Sequence, residues 1–343
     1  VTWSTRIMPL RAIGQGGGTD FDILQAVRYA AGFDNDSGTL PAQKADIINL
    51  SLGGGSYSPV AEELFAAVRG EGITVVAAAG NSASNTPFYP AAYEGVLSVS
   101  AVDIKKDPAQ YSNFGTTIDL AAPGGDNTAD INADGFPDGV LSTCGTDQTG
   151  VIEFVYCFFQ GTSMAAPHVA GVVALMKAVY PALTPTELDI LLANGLITED
   201  LGPAGRDDQF GHGLIDAFGA LVEAQNLAGG GVAPLTLIVS PAALNFGPQS
   251  TTSLEVAKAG GNPGEPLLVT AVTADVPWLN ISEDNVDTDG LGTYTVNVDR
   301  TQLTPGTYSA TITVDAEAPS VNDIEVPVSM QVITPIVGGN AGF

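Results

Sequence analysis

Positive charge is scarce in this sequence. Eleven Lys and Arg stand against 38 Asp and Glu, a formal net charge of −27 over 343 residues. Such a chain repels phosphate backbones and anionic headgroups, which argues against nucleic acid and anionic membranes as partners. It suits an exported protein, or one that holds cations. Long apolar runs are missing too: no uninterrupted stretch approaches the roughly 18–20 residues of a membrane-crossing helix, so no membrane span is expected. Cysteine occurs only at Cys144 and Cys157, thirteen positions apart, a spacing without metal-ligand form. It reads as a disulfide closing a short loop, with two free buried thiols as the alternative; a bridge points to an oxidising compartment. No signal-peptide core opens the chain at Val1, which leaves export open. Only 14% of residues are charged and 45% are hydrophobic, enough for a sizeable core and too apolar for wholesale disorder.

Length alone suggests two domains. Arg6 to Ile13 reads as a buried strand, broken by Gly14-Gln15-Gly16-Gly17-Gly18. Thr19 or Asp20 can then cap a helix carrying Ile23, Leu24, Ala26, Val27 and Tyr29 at helical spacing. The unit repeats: an apolar strand from Asp46 to Leu52, a helix from about Pro59 to Arg69 with Val60, Leu64 and Val68 inward, and a strand from Ile73 to Ala79. Gly95 to Val102 and Thr117 to Ala121 continue the strands. Helices are expected after Gly161, from Pro185 to Ala193 and from Leu214 to Gln225. Short continuous apolar strands alternating with amphipathic helices predict an α/β fold, a parallel sheet covered on both faces. Its working edge is the carboxyl ends of the strands.

The chain is divided accordingly: residues 1–226 form this domain, 227–235 a Gly-rich linker, 236–333 a second domain and 334–343 an unstructured tail. In the second domain the period changes to two. Tyr294, Val296 and Val298 alternate with polar residues, as do Tyr308, Ala310, Ile312 and Val314, then Val326, Val328, Met330 and Val332. An antiparallel β-sandwich is predicted.

The chemistry centres on Gly161-Thr162-Ser163-Met164-Ala165-Ala166-Pro167-His168-Val169-Ala170-Gly171. Gly161 permits a tight turn, Thr162 or Ser163 can cap the helix that follows, and a hydroxyl there faces solvent. This stretch resembles the active-serine motif of subtilisin-like serine peptidases. The resemblance implies a subtilisin-like fold and makes Ser163 the nucleophile of acyl transfer. It places an oxyanion-hole amide on Asn81, in Ala77-Ala78-Ala79-Gly80-Asn81, with the Ser163 N–H as second donor. It further implies that Ser51, Leu52 and Gly53 form one wall of the first substrate pocket, with Ala78, Ala79 and Gly80 opposite. Gly16 and Gly18 would flank an extended polypeptide substrate from the other side. No charged residue occurs in those walls, so an uncharged pocket for apolar side chains is expected.

A serine nucleophile needs a base and a group to orient it. The family's Asp-Thr/Ser-Gly and His-Gly-Thr-His motifs do not occur here, while Val1 to Arg11 resembles the segment downstream of that histidine. Only His168 and His212 exist; the first belongs to the serine motif and the second to a glycine-rich turn, and both read as structural. The expectation is therefore a secreted serine endopeptidase whose Asp and His lie upstream of residue 1, leaving this chain alone inactive. The competing reading is a catalytically inactive scaffold carrying a binding module.

Two further signals remain. Asp130, Asn132 and Asp134 at alternate positions, followed by Gly135, the Phe136 carbonyl and Asp138, can wrap a hard cation, so a structural Ca²⁺ is expected, with a solvated acidic loop as the alternative. Ser240-Pro241, Leu244-Asn245-Phe246-Gly247, Trp278-Leu279 and Pro305-Gly306-Thr307-Tyr308 resemble the immunoglobulin-like BACON modules of secreted enzymes. That likeness raises carbohydrate or a cell surface as a partner, through Trp278, Tyr294 and Tyr308, although alternation places the tyrosines in the core.

Overall fold

In the computed structural model, residues 5–14, 16–146, 150–151, 153–247, 249–262, 265–318 and 321–332 are described. They fall into two compact units, Val1–Gly231 and Val232–Phe343.

The first unit is built on a six-stranded sheet. Its elements in chain order are α1 (Asp20–Ala30), β1 (Ile47–Leu50), α2 (Pro59–Gly70), β2 (Thr74–Ala78), β3 (Val96–Val102), β4 (Leu120–Pro123), β5 (Val140–Thr146), β6 (Glu153–Phe159), α3 (Thr162–Val179), α4 (Pro185–Ala193), β7 (Thr198–Glu199), β8 (Leu214–Ile215) and α5 (Ala217–Ala228). The strand order is β1-β2-β3-β4-β8-β7. Every neighbouring pair is parallel except β7 with β8. β2 and β3 are buried along their whole length, as their unbroken apolar runs require of central parallel strands. β1 lies at the edge and alternates, with Ile48 and Leu50 buried and Asn49 exposed. α1 starts on a reciprocal cap in which Thr19 Oγ1 accepts the Asp22 N–H and the Asp22 carboxylate accepts the Thr19 N–H, each at 3.2 Å.

α3 is the central helix, packed on β1 to β4 and against α5. It is the described helix long and apolar enough to cross a membrane, but here Ala165, Ala166, Val169, Val173 and Met176 are buried in the protein core. Each of the larger side chains contributes about 1.5–3 kcal/mol relative to exposure. The alanines let the helix approach the sheet closely.

Several sequence expectations are corrected. Arg6 to Ile13 is not a buried strand: the segment is irregular and Ile7 is 80% exposed. Apolar pattern alone does not make a strand, which exists only by pairing, and none of the described strands pairs with it. Val60 points outward at 69% exposure, and Ala61 and Phe65 join Leu64 and Val68 on the inner face. Leu214 belongs to a short strand, and the last helix starts only after Asp216 caps it. Neither Thr162 nor Ser163 caps α3; Gly161 does, with no side-chain bond.

The second unit contains β9 (Thr236–Ser240), β10 (Leu244–Asn245), β11 (Thr251–Ala259), β12 (Leu268–Ala274), β13 (Leu279–Val286), β14 (Gly292–Val298), β15 (Gly306–Glu317) and β16 (Ile324–Val332). They form two four-stranded sheets, β10-β16-β15-β12 and β13-β14-β11-β9. One core joins their inner faces, Leu254, Val256 and Val296 from one sheet meeting Ile312, Val314 and Val326 from the other. Tyr294 is buried in this core, and Trp278 packs edge-on to Tyr308 at 6.2 Å between ring centroids, both half-buried against it.

Candidate active site

Parallel pairing sets the site. Leu50 pairs with Ala77 and Ala78 with Val99, so the loops after β1 and β2 leave the same sheet edge side by side. The N-terminus of α3 meets them there. Gly161 sits at φ 141°, a conformation that strains any residue with a side chain. A Cβ on it would come within 3.4 Å of Asn81 Nδ2. Its N–H is shared between Gly124 O and Tyr111 Oη, each at 3.0 Å.

Ser163, in the first turn of α3, is half-buried, and its hydroxyl lies 3.3 Å from Ser51 O. The reverse bond is stronger: Ser51 Oγ donates to Ser163 O at 2.7 Å. Pro167 makes that possible, because a proline four residues on has no N–H to claim the Ser163 carbonyl. The Ser163 backbone is thereby tied to the end of β1.

Asn81 is held from the other side. Its Oδ1 accepts the Thr162 N–H at 2.9 Å and the Thr162 hydroxyl at 3.0 Å. Thr162 Oγ1 in turn accepts the Gly80 N–H at 3.1 Å. With Oδ1 engaged, Nδ2 is the free donor. The Thr162 N–H is spent on Asn81 and the Met164 and Ala165 N–H groups bond Gly161 O, so the Ser163 N–H is the first-turn donor left beside it at the positive end of α3, and the two can meet negative charge. Asn113 fixes the loop from below: Nδ2 donates to Ala79 O at 2.8 Å, and Oδ1 accepts the Ser82 N–H at 2.9 Å. Neither Asn113 nor Tyr111 stood out in the sequence, since each acts on residues far along the chain.

Ser51, Gly53, Ala79, Gly80, Asn81 and Ser163 are thus brought together, with Leu52 and Ala78 in the same two segments. At Gly16 and Gly18 the structure describes only their immediate surroundings. Gly18 abuts Ala12 and Ile13, and Gly16 stands in open space. Among the described residues, neither histidine has a hydrogen bond to Ser163. His168 Nδ1 pairs with Met164 O at 2.8 Å on its own helix. His212 lies before β8, its backbone N–H bonded to Asp119 O at 2.8 Å. Burial first, and the Arg206 charge second, push its imidazole down to about 4.

The acidic loop folds round its own oxygens. Asp130 Oδ1 and Asn132 Oδ1 both accept the Asp134 N–H, Asp130 Oδ2 accepts the Gly135 N–H at 3.0 Å, and Asp134 Oδ1 accepts the Phe136 N–H at 2.9 Å. Asp138 is 8% exposed; one of its oxygens accepts the Ile131 N–H and the other, Oδ1, is buried without a partner. Among the described residues no three His, Cys, Asp or Glu side chains form a ready-made metal cluster. Cys144 and Cys157 form a disulfide across the β5–β6 hairpin.

The subtilase family pattern matches residues 1–213. The chain is 37% identical over 227 residues to an extracellular protease of Xanthomonas campestris pv. campestris, covering 65% of this chain and 36% of that protein. It is 40% identical over 176 residues to a thermophilic serine proteinase of Bacillus sp. strain AK1, covering 51% of this chain and 36% of that protein. A solved protease structure from Pseudoalteromonas arctica PAMC 21717 superposes with a TM-score of 0.55 at 39% identity, covering 62% of this chain and 61% of that one. The chain thus spans about a third of the length of these two curated relatives. With the family pattern running through the sheet, the Asn81 loop and the start of α3, this chain belongs to the subtilase family.

Proposed function

We propose that this chain supplies the nucleophile, the oxyanion site and the peptide-binding loops of a secreted serine endopeptidase. The observation that carries it is the clamp of Thr162 on Asn81, which aims a free amide N–H beside Ser163 at the positive end of α3. Ser163 Oγ attacks the substrate carbonyl carbon and gives up its proton to a base. The charge that develops on the carbonyl oxygen is met by Asn81 Nδ2 and the Ser163 N–H, donors already oriented before reaction. Collapse releases the amine and leaves an acyl-enzyme, which water hydrolyses with Ser163 as leaving group. The base and its orienting carboxylate come from a segment outside these 343 residues, because neither histidine here bonds Ser163. Extracellular relatives, the disulfide and the acidic surface support secretion.

A serine-directed fluorophosphonate tests this reading. The natural full-length polypeptide should label at Ser163 and its Ser163→Ala variant should not. The 343-residue chain alone should stay unlabelled; strong labelling would show that it holds its own base. An unlabelled full-length protein would favour the inactive scaffold.

Ca²⁺ is our second assignment, favoured by the buried, unpartnered Asp138 Oδ1. Asp130, Asn132, Asp134, Asp138 and the Phe136 carbonyl would hold it, a mixed carboxylate, amide and carbonyl set suited to a hard cation. Its effect is structural. The second unit we read as an immunoglobulin-like accessory module of the BACON kind. Carbohydrate or cell-surface attachment is the natural role for such a module, with half-buried Trp278 and Tyr308 as its aromatic edge and buried Tyr294 excluded from it.

A further inference from the structure

On the peptidase reading, the loops after β1 and β2 are the two walls of a gap next to Ser163. One is bonded to Ser163 through Ser51, the other to Thr162 through Asn81. In a bound peptide, the side chain on the acyl side of the scissile bond must enter that gap. Here a ring already stands in it. A Cβ on Gly53 would collide with Cε1 and Cδ1 of Phe88, and a Cβ on Gly80 would come within 3.0 Å of Phe88 Cγ. One phenyl ring therefore touches the glycines of both loops.

The backbone that carries the ring is anchored. Gly54 N–H donates to Tyr89 O at 2.8 Å and Ala92 N–H to Phe88 O at 2.9 Å, fixing the backbone on the C-terminal side of the residue. Tyr89 packs on Tyr93 with centroids 4.5 Å apart, and Tyr93 stacks on Phe65 at 5.5 Å. Phe88 is only half-buried. We propose that Phe88 fills the first substrate pocket and limits it to small side chains such as Gly, Ala or Ser. This rests on the peptidase reading and narrows it, replacing the broad preference for apolar side chains expected from uncharged walls. A second aromatic ring enters only if the Phe88 side chain turns away, on a backbone fixed by two hydrogen bonds. Pocket differences of one methylene already shift selectivity by roughly 10–200-fold.

The test uses the natural full-length protein and peptide p-nitroanilides that differ only in the residue before the scissile bond. Wild type should cleave the Ala substrate at least about tenfold faster than the Phe substrate in kcat/KM. Phe88→Gly, with Phe88→Ser as a second variant, should raise the Phe substrate by about tenfold or more and move the Ala substrate far less. Wild type that cleaves both substrates equally, or variants that leave the ratio unchanged, would overturn the role of Phe88 while the peptidase reading stands. The wild-type ratio decides even where a variant fails to fold. Absence of any Ser163-dependent hydrolysis overturns the peptidase reading and this inference with it.

Discussion

Replacing Thr162 by Val removes a hydroxyl at nearly constant volume, and the structure says what that costs. Thr162 is fully buried. Its Oγ1 accepts the Gly80 N–H at 3.1 Å and donates to Asn81 Oδ1 at 3.0 Å. The first loss leaves a buried backbone donor unpaired, worth about 1–3 kcal/mol, and the second removes a bond worth about 1 kcal/mol. A total of about 2–4 kcal/mol lowers Tm by about 4–16 °C for a unit of this size. Turnover should fall as well. Asn81 keeps its bond from the Thr162 N–H, at 2.9 Å, so the donor is loosened rather than lost. A drop of about tenfold is expected, short of the 10²–10³ or so known for deleting such an asparagine in a subtilisin. KM should hardly move, because the interaction is made in the transition state. Thr162→Ser keeps the hydroxyl and should lose no more than about 1 kcal/mol, the share of one buried methyl. Calorimetry and steady-state kinetics on the full-length protein read both effects. A Thr162→Val variant that melts with wild type and turns over normally would refute the clamp.

Three other outcomes are expected. Ca²⁺ should raise the melting temperature of wild type but not of Asp134→Ala; no shift in wild type, or equal shifts in both, removes the site. His212 is held neutral, its pKa lowered to about 4, so between pH 6.5 and 4 the unfolded chain takes up a proton that the folded one refuses, and stability falls by up to about 3 kcal/mol. Asp119, raised to about 7 chiefly by burial, acts oppositely, since the folded state gains its proton first as pH falls. Urea midpoints of His212→Asn should therefore rise relative to wild type on acidification; parallel profiles would show that His212 is not the group responsible. Cys157→Ser should loosen β5 and β6, because closing a loop of this length contributes about 2–3 kcal/mol. Hydrogen exchange should speed up in that hairpin, and unaltered protection there would show that the bridge is not what orders it.

Local signals and paired ones differed sharply in how far they could be read from residue order. The buried runs Thr74–Ala78 and Val96–Val102 are central strands, because neighbours on both sides demand apolar faces. Arg6 to Ile13 has the same character and stays irregular for want of a partner. Ser163 and Asn81 stood out because the motifs around them are contiguous. Pro167 was also in plain view, and its missing N–H accounts for the Ser51 bond, yet which residue would use the freed carbonyl depended on a segment 112 positions away.

Residue order, then, was enough to single out Ser163 and Asn81, the strand–helix alternation and the change of period after the glycine linker. All are written within short windows, where spacing and side-chain type act directly. Folding alone decided the rest: that Thr162 grips Asn81 across 81 positions, that Asn113 and Tyr111 brace the loops, and that the Phe88 ring stands between Gly53 and Gly80. Those are contacts between surfaces distant in the chain, and no window contains both partners until the parallel sheet sets the loops after β1 and β2 side by side beneath α3.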